Sequence, residues 1–309
     1  MQTAGPSSPD VALVTCAEWP DLTPDDRLLA AALQRRGLPP VPARWDDPAV
    51  RWGAYRAVVV RSCWDYHHRA AQFEHWLDRL ERQRARVVNP VPTLRWNMRK
   101  SYLRDLEAAG IPVARTFWAP MGSGATLAGV AAATGWTEMV VKPLVSASGH
   151  ETWRVEHAGV AAAEARFARL LRQRDLMVQP FIPAFVTHGE LSLVFLGGRY
   201  SHAVRKRAKA GDFRVQEEHG GTAEREEVSA DLVRQGERVL AATPPAPPDP
   251  PLYARVDGVL LNGRLTVTEL ELIEPLLYLA WDVAAADRMA DALAARLAAT
   301  PPAPGAAAG

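Results

Sequence analysis

The segment Tyr253 to Pro275 constrains this chain most, because it asks one sheet face to carry four charges. Arg255 and Asp257 lie two residues apart, Asn262-Gly263 marks a turn, and Glu269 and Glu271 again lie two apart. In a β-strand that spacing puts side chains on one face. Simple alternation sets Leu265 and Val267 beside the glutamates and points Leu270 and Leu272 the other way. A strict two-residue turn would leave Asp257 on the face opposite Glu269. We therefore expect a three-residue loop or a β-bulge that returns Arg255, Asp257, Glu269 and Glu271 to a common face. Carboxylates crowded among apolar side chains raise one another's pKa unless a cation lies between them, and hard oxygen donors suit Mg²⁺. An edge hairpin with a solvated acidic face is the competing reading. The Asp and Arg on the paired strand favour the metal site.

The remaining chain supplies an α/β frame. Its 309 residues suffice for one large or two to three small domains with an internal cleft. Lys and Arg total 36 against 35 for Asp and Glu, a balance that offers no basic field for nucleic acid or a membrane surface. Two cysteines, Cys16 and Cys63, make no disulfide framework or zinc spacing and fit a reducing cytoplasm. The short apolar run Val11 to Ala17 follows Asp10 and reads as a buried strand, not a signal peptide. Thr23 caps a helix with Pro24 at its first position and Gly37 beyond its end. Strands at Ala57 to Arg61 and Ala85 to Asn89 flank a helix at Gln72 to Arg82, which predicts a parallel βαβ domain over 11–92.

A second unit, 93–180, holds a helix at Trp96 to Ala109 and a strand at Val113 to Trp118. A helix at Thr126 to Thr134, strands at Glu138 to Lys142, Thr152 to Val155 and Met177 to Gln179, and a helix at Val160 to Arg172 complete it. A third unit, 181–299, opens with a hairpin about Gly197-Gly198, has a helix at Ala230 to Ala242 and closes with one at Val283 to Ala298. Residues 1–10 and 300–309 read as disordered tails.

Lys142 ends the strand Val140-Val141-Lys142-Pro143 and precedes the small stretch Ser146-Ala147-Ser148-Gly149. A charge so placed needs an anionic partner, and a mobile loop's N–H groups can surround polyphosphate. No Gly-x-x-x-x-Gly-Lys-Ser/Thr motif occurs, which disfavours an ordinary P-loop NTPase. Gln179-Pro180-Phe181-Ile182 reads equally as a core strand ending at proline or as a segment offering edge hydrogen bonds and an apolar wall to a purine. Arg214 sits in a long polar loop ahead of Gly220-Gly221. Glu18-Trp19 and Ser62 to Tyr66 follow the carboxyl ends of their strands, where open α/β sheets bind ligands.

Taken in order, Lys100, Lys142, Gln179 to Ile182, Arg214 to Gln216, Arg255-x-Asp257 and Glu269-x-Glu271 resemble the landmarks of the ATP-grasp superfamily over about 97–285. The resemblance implies an α+β ATP-grasp fold that sandwiches ATP, with phosphate contacts at Lys100 and Lys142 and an adenine hinge at Gln179, Pro180, Phe181 and Ile182. It further implies a ribose-side carboxylate at Glu190 and one or two Mg²⁺, replaceable by Mn²⁺, on Asp257, Glu269 and Glu271. Arg255 matches the arginine facing the reacting carbonyl in D-alanine:D-alanine ligases, and Arg214 the phosphate-side arginine of glutathione synthetases; Lys206 assists them. Val215-Gln216 replaces the commoner Ser-Asn, and the loop after Lys142 is poorer in glycine than in many relatives.

Ser62 to Tyr66, Arg95-Trp96-Asn97, Ser201 to Val204 with Lys206, and Gly211 to Arg214 resemble a bacterial branch that includes D-cycloserine-forming cyclo-ligases. That branch implies closure of O-ureido-D-serine, with Ser62, Trp64, Asp65 and His202 as substrate-side residues. The expected enzyme activates a small-molecule carboxylate as an acyl phosphate and joins it to nitrogen, with a homodimer as its candidate assembly. An intermolecular amino-acid or peptide ligase and a non-catalytic ATP-binding regulator are the alternatives.

Overall fold

The computed structural model describes residues 11–215, 219–243 and 250–299. Both expected tails, Gln216 and part of the Pro-rich loop at 243–252 lie outside the described residues. The N-terminal unit runs β1 (Val11–Thr15), α1 (Pro24–Arg35), β2 (Pro40–Arg44), β3 (Ala57–Ser62), α2 (Ala70–Arg82) and β4 (Val87–Val88). Its strands form a parallel sheet in the order β2-β1-β3-β4. As the sequence predicts, Thr23 Oγ1 accepts from the Asp26 N–H and caps α1, and Gly37 takes the left-handed conformation past the helix end. β2 carries Pro40 and Pro42, which hid it from the pattern; proline lacks the ladder N–H, and β2 lies at the sheet edge, where that loss is tolerated.

The chain continues through α3 (Val91–Asn97) and α4 (Tyr102–Ala108), two helices where one was expected at Trp96 to Ala109. The break has a cause outside the segment. Lys100 N–H donates to the Leu144 carbonyl at 2.8 Å, and Asn97 uses its amide on the Leu270 carbonyl and the Leu272 N–H, both at 2.8 Å. The central unit holds β5 (Phe117–Ala119), α5 (Leu127–Thr134), β6 (Glu138–Pro143), β7 (Trp153–Glu156), α6 (Val160–Leu171) and β8 (Leu176–Pro180), with an antiparallel sheet ordered β5-β8-β6-β7. The expected strand Val113 to Trp118 is divided between two sheets. Val113 bridges Val267, and only from Phe117 does the chain join β8.

The C-terminal unit comprises α7 (Ala184–Thr187), β9 (Glu190–Leu196), β10 (Arg199–Arg207), β11 (Thr222–Glu226), α8 (Ala230–Ala241), β12 (Tyr253–Leu261), β13 (Arg264–Glu271) and α9 (Ala285–Ala299). Its antiparallel sheet has the order β11-β10-β9-β12-β13. Two cores tie the units together. Tyr102, Leu103 and Leu106 of α4 pack with Leu193, Phe195 and Leu270 of this sheet. Met289, Leu293 and Leu297 of α9 pack against Leu29 and Leu33 of α1 and Leu13 and Val59 of the N-terminal sheet. None of the described helices is long and apolar enough to cross a membrane.

The hairpin β12–β13 resolves the opening constraint. Leu261 pairs with Arg264 across a two-residue turn in which Asn262 and Gly263 have φ of 52° and 75°, the paired positive values of a type I′ turn. The register then shifts at a bulge, so that Gly258 opposes Val267 while Asp257 opposes Glu269 and Arg255 opposes Glu271. Gly258 is required there, because a Cβ would stand 2.5 Å from the Thr266 carbonyl oxygen. The bulged residue is Thr268. One extra residue inverts the alternation, which corrects the expected mixing of faces: Leu265, Val267, Leu270 and Leu272 all enter one core, and the charges share the other face with Thr268.

Candidate functional site

The charged face of β12 and β13 forms one wall of a cavity of about 800 Å³ where the three units meet. Trp19 and Trp64 close it from the N-terminal unit, in edge-to-face contact with ring centroids 6.2 Å apart. Lys142 and Gln179 to Ile182 line the opposite side, with Lys100, Glu190, Lys206 and Arg214 also at the wall.

Every carboxylate of the cluster has a protein cation within reach. Asp257 accepts from Arg255 Nε at 2.9 Å, Lys206 Nζ at 3.0 Å and Ser192 Oγ at 2.6 Å. Burial alone would raise its carboxyl; Arg255 and Lys206 overcome that and hold it well below the usual range. Glu269 meets Lys100 Nζ at 2.8 Å, and despite burial Lys100 and then Lys142 hold it ionised. Glu271 pairs with Arg255, yet burial, with Glu269 and Asp257 close by, pushes it up to about 7. Glu190 is tied to Lys206 Nζ at 2.6 Å and to Thr268 Oγ1 at 2.9 Å. Those contacts put it beside the carboxylates as well as at the cavity wall.

The helix break places Lys100 so that Nζ also donates to the Ser146 carbonyl at 2.7 Å, joining β13 to the loop after β6. Lys142 differs from the other cations. It has no hydrogen bond or ion pair among the described residues, and burial pushes its ammonium down, offset in part by Glu269. Gln179 donates to Thr116 Oγ1 at 2.9 Å, and Phe181 meets Phe213 edge-on at 6.3 Å and lies under the Arg154 guanidinium at 4.0 Å.

Several expected residues are used otherwise. Arg214 lines the cavity but forks onto Asp212, with Nη2 at 2.7 Å, instead of approaching the carboxylate cluster. Of the substrate-side residues only Trp64 reaches the cavity, donating through Nε1 to the Glu274 carbonyl at 2.9 Å. Ser62 is buried and donates to Asp26, which Arg61 grips at 2.8 Å while also donating to the Pro275 carbonyl at 2.9 Å. Asp65 accepts from Trp45 Nε1 at 2.8 Å and from Arg69. His202 is buried with Nε2 3.0 Å from the Leu277 carbonyl and Nδ1 2.9 Å from Ser201 Oγ. These three serve the scaffold because their polar atoms satisfy buried neighbours, and none lines the cavity.

Three residues at the wall were not anticipated. Burial, and then Glu271, push the Glu274 carboxyl well above the carboxylate range, which favours its neutral form. Tyr278 stands in the left-handed region at φ 53°, with the Arg255 guanidinium 5.8 Å from its ring centroid. Asp25 accepts from the Leu277 and Leu279 N–H groups at 3.3 and 2.6 Å, fixing the segment that carries Tyr278. An acidic residue in a loop after a Glu-x-Glu strand was the available signal for Glu274.

Comparison with known proteins gives a consistent picture. Residues 11–89 match the N-terminal domain of D-cycloserine synthetase DcsG, and residues 127–242 match the ATP-grasp domain of prokaryotic glutathione synthetase. The cycloserine biosynthesis protein DcsG of Streptomyces lavendulae is 35% identical over 301 residues, spanning 93% of this chain and 98% of that protein. The crystal structure of D-cycloserine synthetase DcsG superposes with a TM-score of 0.84 at 33% identity, covering 93% of this chain and 99% of that one. A RimK domain ATP-grasp protein from Sphaerobacter thermophilus shares the fold at 21% identity, with a TM-score of 0.68 over 91% of this chain and 98% of that one.

Proposed function

The chain belongs to the D-cycloserine synthetase family of ATP-grasp ligases, which makes it an ADP-forming enzyme, and on that premise we propose that it closes O-ureido-D-serine to D-cycloserine. The observation that carries the nucleotide site is Lys142. A desolvated ammonium with no direct partner, facing a cavity large enough for ATP, calls for an anionic ligand. The division of the chain at 92/93 and 180/181 belongs to the same proposal.

In this reading the adenine lies against Gln179 to Ile182, Glu190 faces the ribose, and Lys100 and Lys142 meet phosphate oxygens. The donor set suits Mg²⁺, one or two ions, with Mn²⁺ as a substitute: Asp257, Glu269 and Glu271 share one face, and Glu271 is half-buried and pushed up by desolvation despite its pairing with Arg255. A metal held by Asp257, Glu269 and Glu271 would supply positive charge to offset that of the phosphates. The substrate carboxylate attacks the γ-phosphorus and ADP departs. The nitrogen bonded to the side-chain oxygen then attacks the acyl carbon, and phosphate leaves as the ring closes. The ureido carbonyl departs with one water as carbamic acid.

Arg255, held by Asp257, Glu271 and the Leu276 carbonyl at 2.8 Å, is the fixed cation for charge developing on the acyl oxygen. Lys206 holds Asp257 and Glu190 in register, and Arg214 reaches phosphate only by exchanging Asp212 for it. Loops 146–149 and 208–215 supply the cover that keeps water from the acyl phosphate.

The test is ADP release with Mg²⁺-ATP and O-ureido-D-serine, with D-cycloserine followed by mass spectrometry. Product formed in step with ADP is expected. ATP that binds but yields no product would overturn the substrate while leaving the family membership intact.

A pH effect follows from Glu271. A proton and a divalent cation compete for a carboxylate that titrates near 7, and the proton wins as pH falls. The Mg²⁺ concentration for half-maximal turnover should therefore rise roughly tenfold between pH 8 and pH 6. A requirement unchanged over that interval would remove Glu271 from the donor set.

A further inference from the structure

Outside the cavity, three histidines from distant parts of the chain converge. His67 and His68 end the single 3₁₀ turn after β3, and His150 lies in the loop between β6 and β7. One ring nitrogen of each stands within 4.8 Å of the others. The ring centroids are 3.9 Å apart for His67 and His68, 4.7 Å for His68 and His150, and 5.2 Å for His67 and His150. None of the three lines the cavity, although Tyr66, Ser148 and Gly149 beside them do.

The hydrogen bonding assigns the tautomer of His67. Its Nδ1 lies 2.7 Å from the Trp64 carbonyl oxygen, which can only accept, so Nδ1 carries the proton and Nε2 carries the lone pair. Nε2 is buried and has no hydrogen-bond partner among the described residues. A buried acceptor without a donor is costly. An imidazole whose Nδ1–H is anchored on a backbone carbonyl while Nε2 stays free is the arrangement that orients a histidine for a metal. Burial also pushes His67 down to about 4, with His68 adding to the effect, so the ring is neutral at physiological pH.

We propose that His67, His68 and His150 form a site for a late first-row divalent cation, Zn²⁺ foremost, that clasps the 144–152 loop to the N-terminal unit. Imidazole nitrogen selects such ions over Mg²⁺. Nitrogens on a tetrahedral zinc stand about 3.3 Å apart, a closure that the exposed side chains of His68 and His150 supply by rotation. Glu151 Oε2 lies 3.8 Å from His150 Nε2 and is held by Arg174 at 2.7 Å. It gives the site a nearby negative charge without taking the position left open by three ligands. The clasped loop is the one whose Ser146 carbonyl receives Lys100 and whose Ser148 and Gly149 line the cavity. The effect on the nucleotide rests on the ligase reading: metal bound at the histidines holds the loop down and slows nucleotide release.

The experiment titrates the full, tag-free chain with Co²⁺ in saturating Mg²⁺, so that the carboxylates are occupied and tetrahedral nitrogen ligation is read from visible absorption. One equivalent with intense bands is expected, displaced by Zn²⁺ and weakened at least about 100-fold in His68→Ala and in His150→Ala, two exposed positions whose loss leaves the core intact. Absence of the bands, or bands unchanged in both variants, overturns the site. Release of a fluorescent ATP analogue should slow with Zn²⁺ in the unaltered chain and not in His150→Ala; equal rates overturn the clasp. The cobalt spectrum reads the site whether or not nucleotide binds, so failure of the ligase reading shows separately.

Discussion

Glu269→Gln lowers turnover by roughly 10³-fold, a loss of about 4 kcal/mol of transition-state stabilisation, while the chain stays folded. Gln keeps the shape of the side chain and removes the charge that Lys100 contacts at 2.8 Å and that Lys142 senses. In the absence of nucleotide the change leaves those cations less compensated. In the proposed arrangement, with nucleotide bound, it would remove one anionic donor from the set facing the phosphates, where metal and lysines together offset the triphosphate. The backbone of β13 keeps its pairing with β12, so stability changes little by comparison. Steady-state ADP release, with circular dichroism as the control for folding, measures the effect. Turnover within tenfold of the unaltered enzyme would remove Glu269 from the metal set.

The largest stability effect is expected at Asn89, which does not line the cavity. Its fully buried amide donates to the Tyr253 and Leu272 carbonyls, both at 2.9 Å, and its Oδ1 accepts from the Leu252 N–H at 2.8 Å. One side chain thus joins the end of the N-terminal sheet to the start of β12 and the end of β13. Asn89→Ala strands three buried backbone groups where no water reaches, at about 1–3 kcal/mol each, so a loss of roughly 4 kcal/mol is expected. Urea titration followed by fluorescence should show an early transition; a change under about 1 kcal/mol would mean that the three groups find other partners.

Much of the frame, and the gathering of Arg255, Asp257, Glu269 and Glu271 on one face, were legible in the sequence because each rested on a local rule. Thr23, Pro24 and Gly37 announce α1 whatever surrounds them. The bulge in β12–β13 was legible because four charges and one turn could be reconciled on a single face in few ways. Its position was not, and so Leu265 and Val267 were assigned to the wrong side. What escaped depended on contacts between distant residues. The helix break at Lys100 is made by Leu144 and Leu270, and Ser62, Asp65 and His202 look like ligand contacts until Asp26, Trp45 and Leu277 are seen to use them. Arg214, matched to a phosphate-side arginine, is held by Asp212, two residues away. The histidine trio was invisible for the same reason: His150 is more than eighty residues along the chain from its companions.

The packing of α9 has a bearing on how this protein is made. Leu13 and Val59 of the first sheet and Leu29 and Leu33 of α1 are covered by Met289, Leu293 and Leu297, and Arg36 is bound to Asp287 and Asp291 at 2.7 and 2.6 Å. During synthesis these N-terminal residues are made well before 285–299, so the part of the sheet face and the side of α1 that α9 covers stay bare until α9 emerges. The nascent chain therefore carries an apolar surface throughout the synthesis of the residues between α1 and α9, and the docking of α9 is the step that retires it.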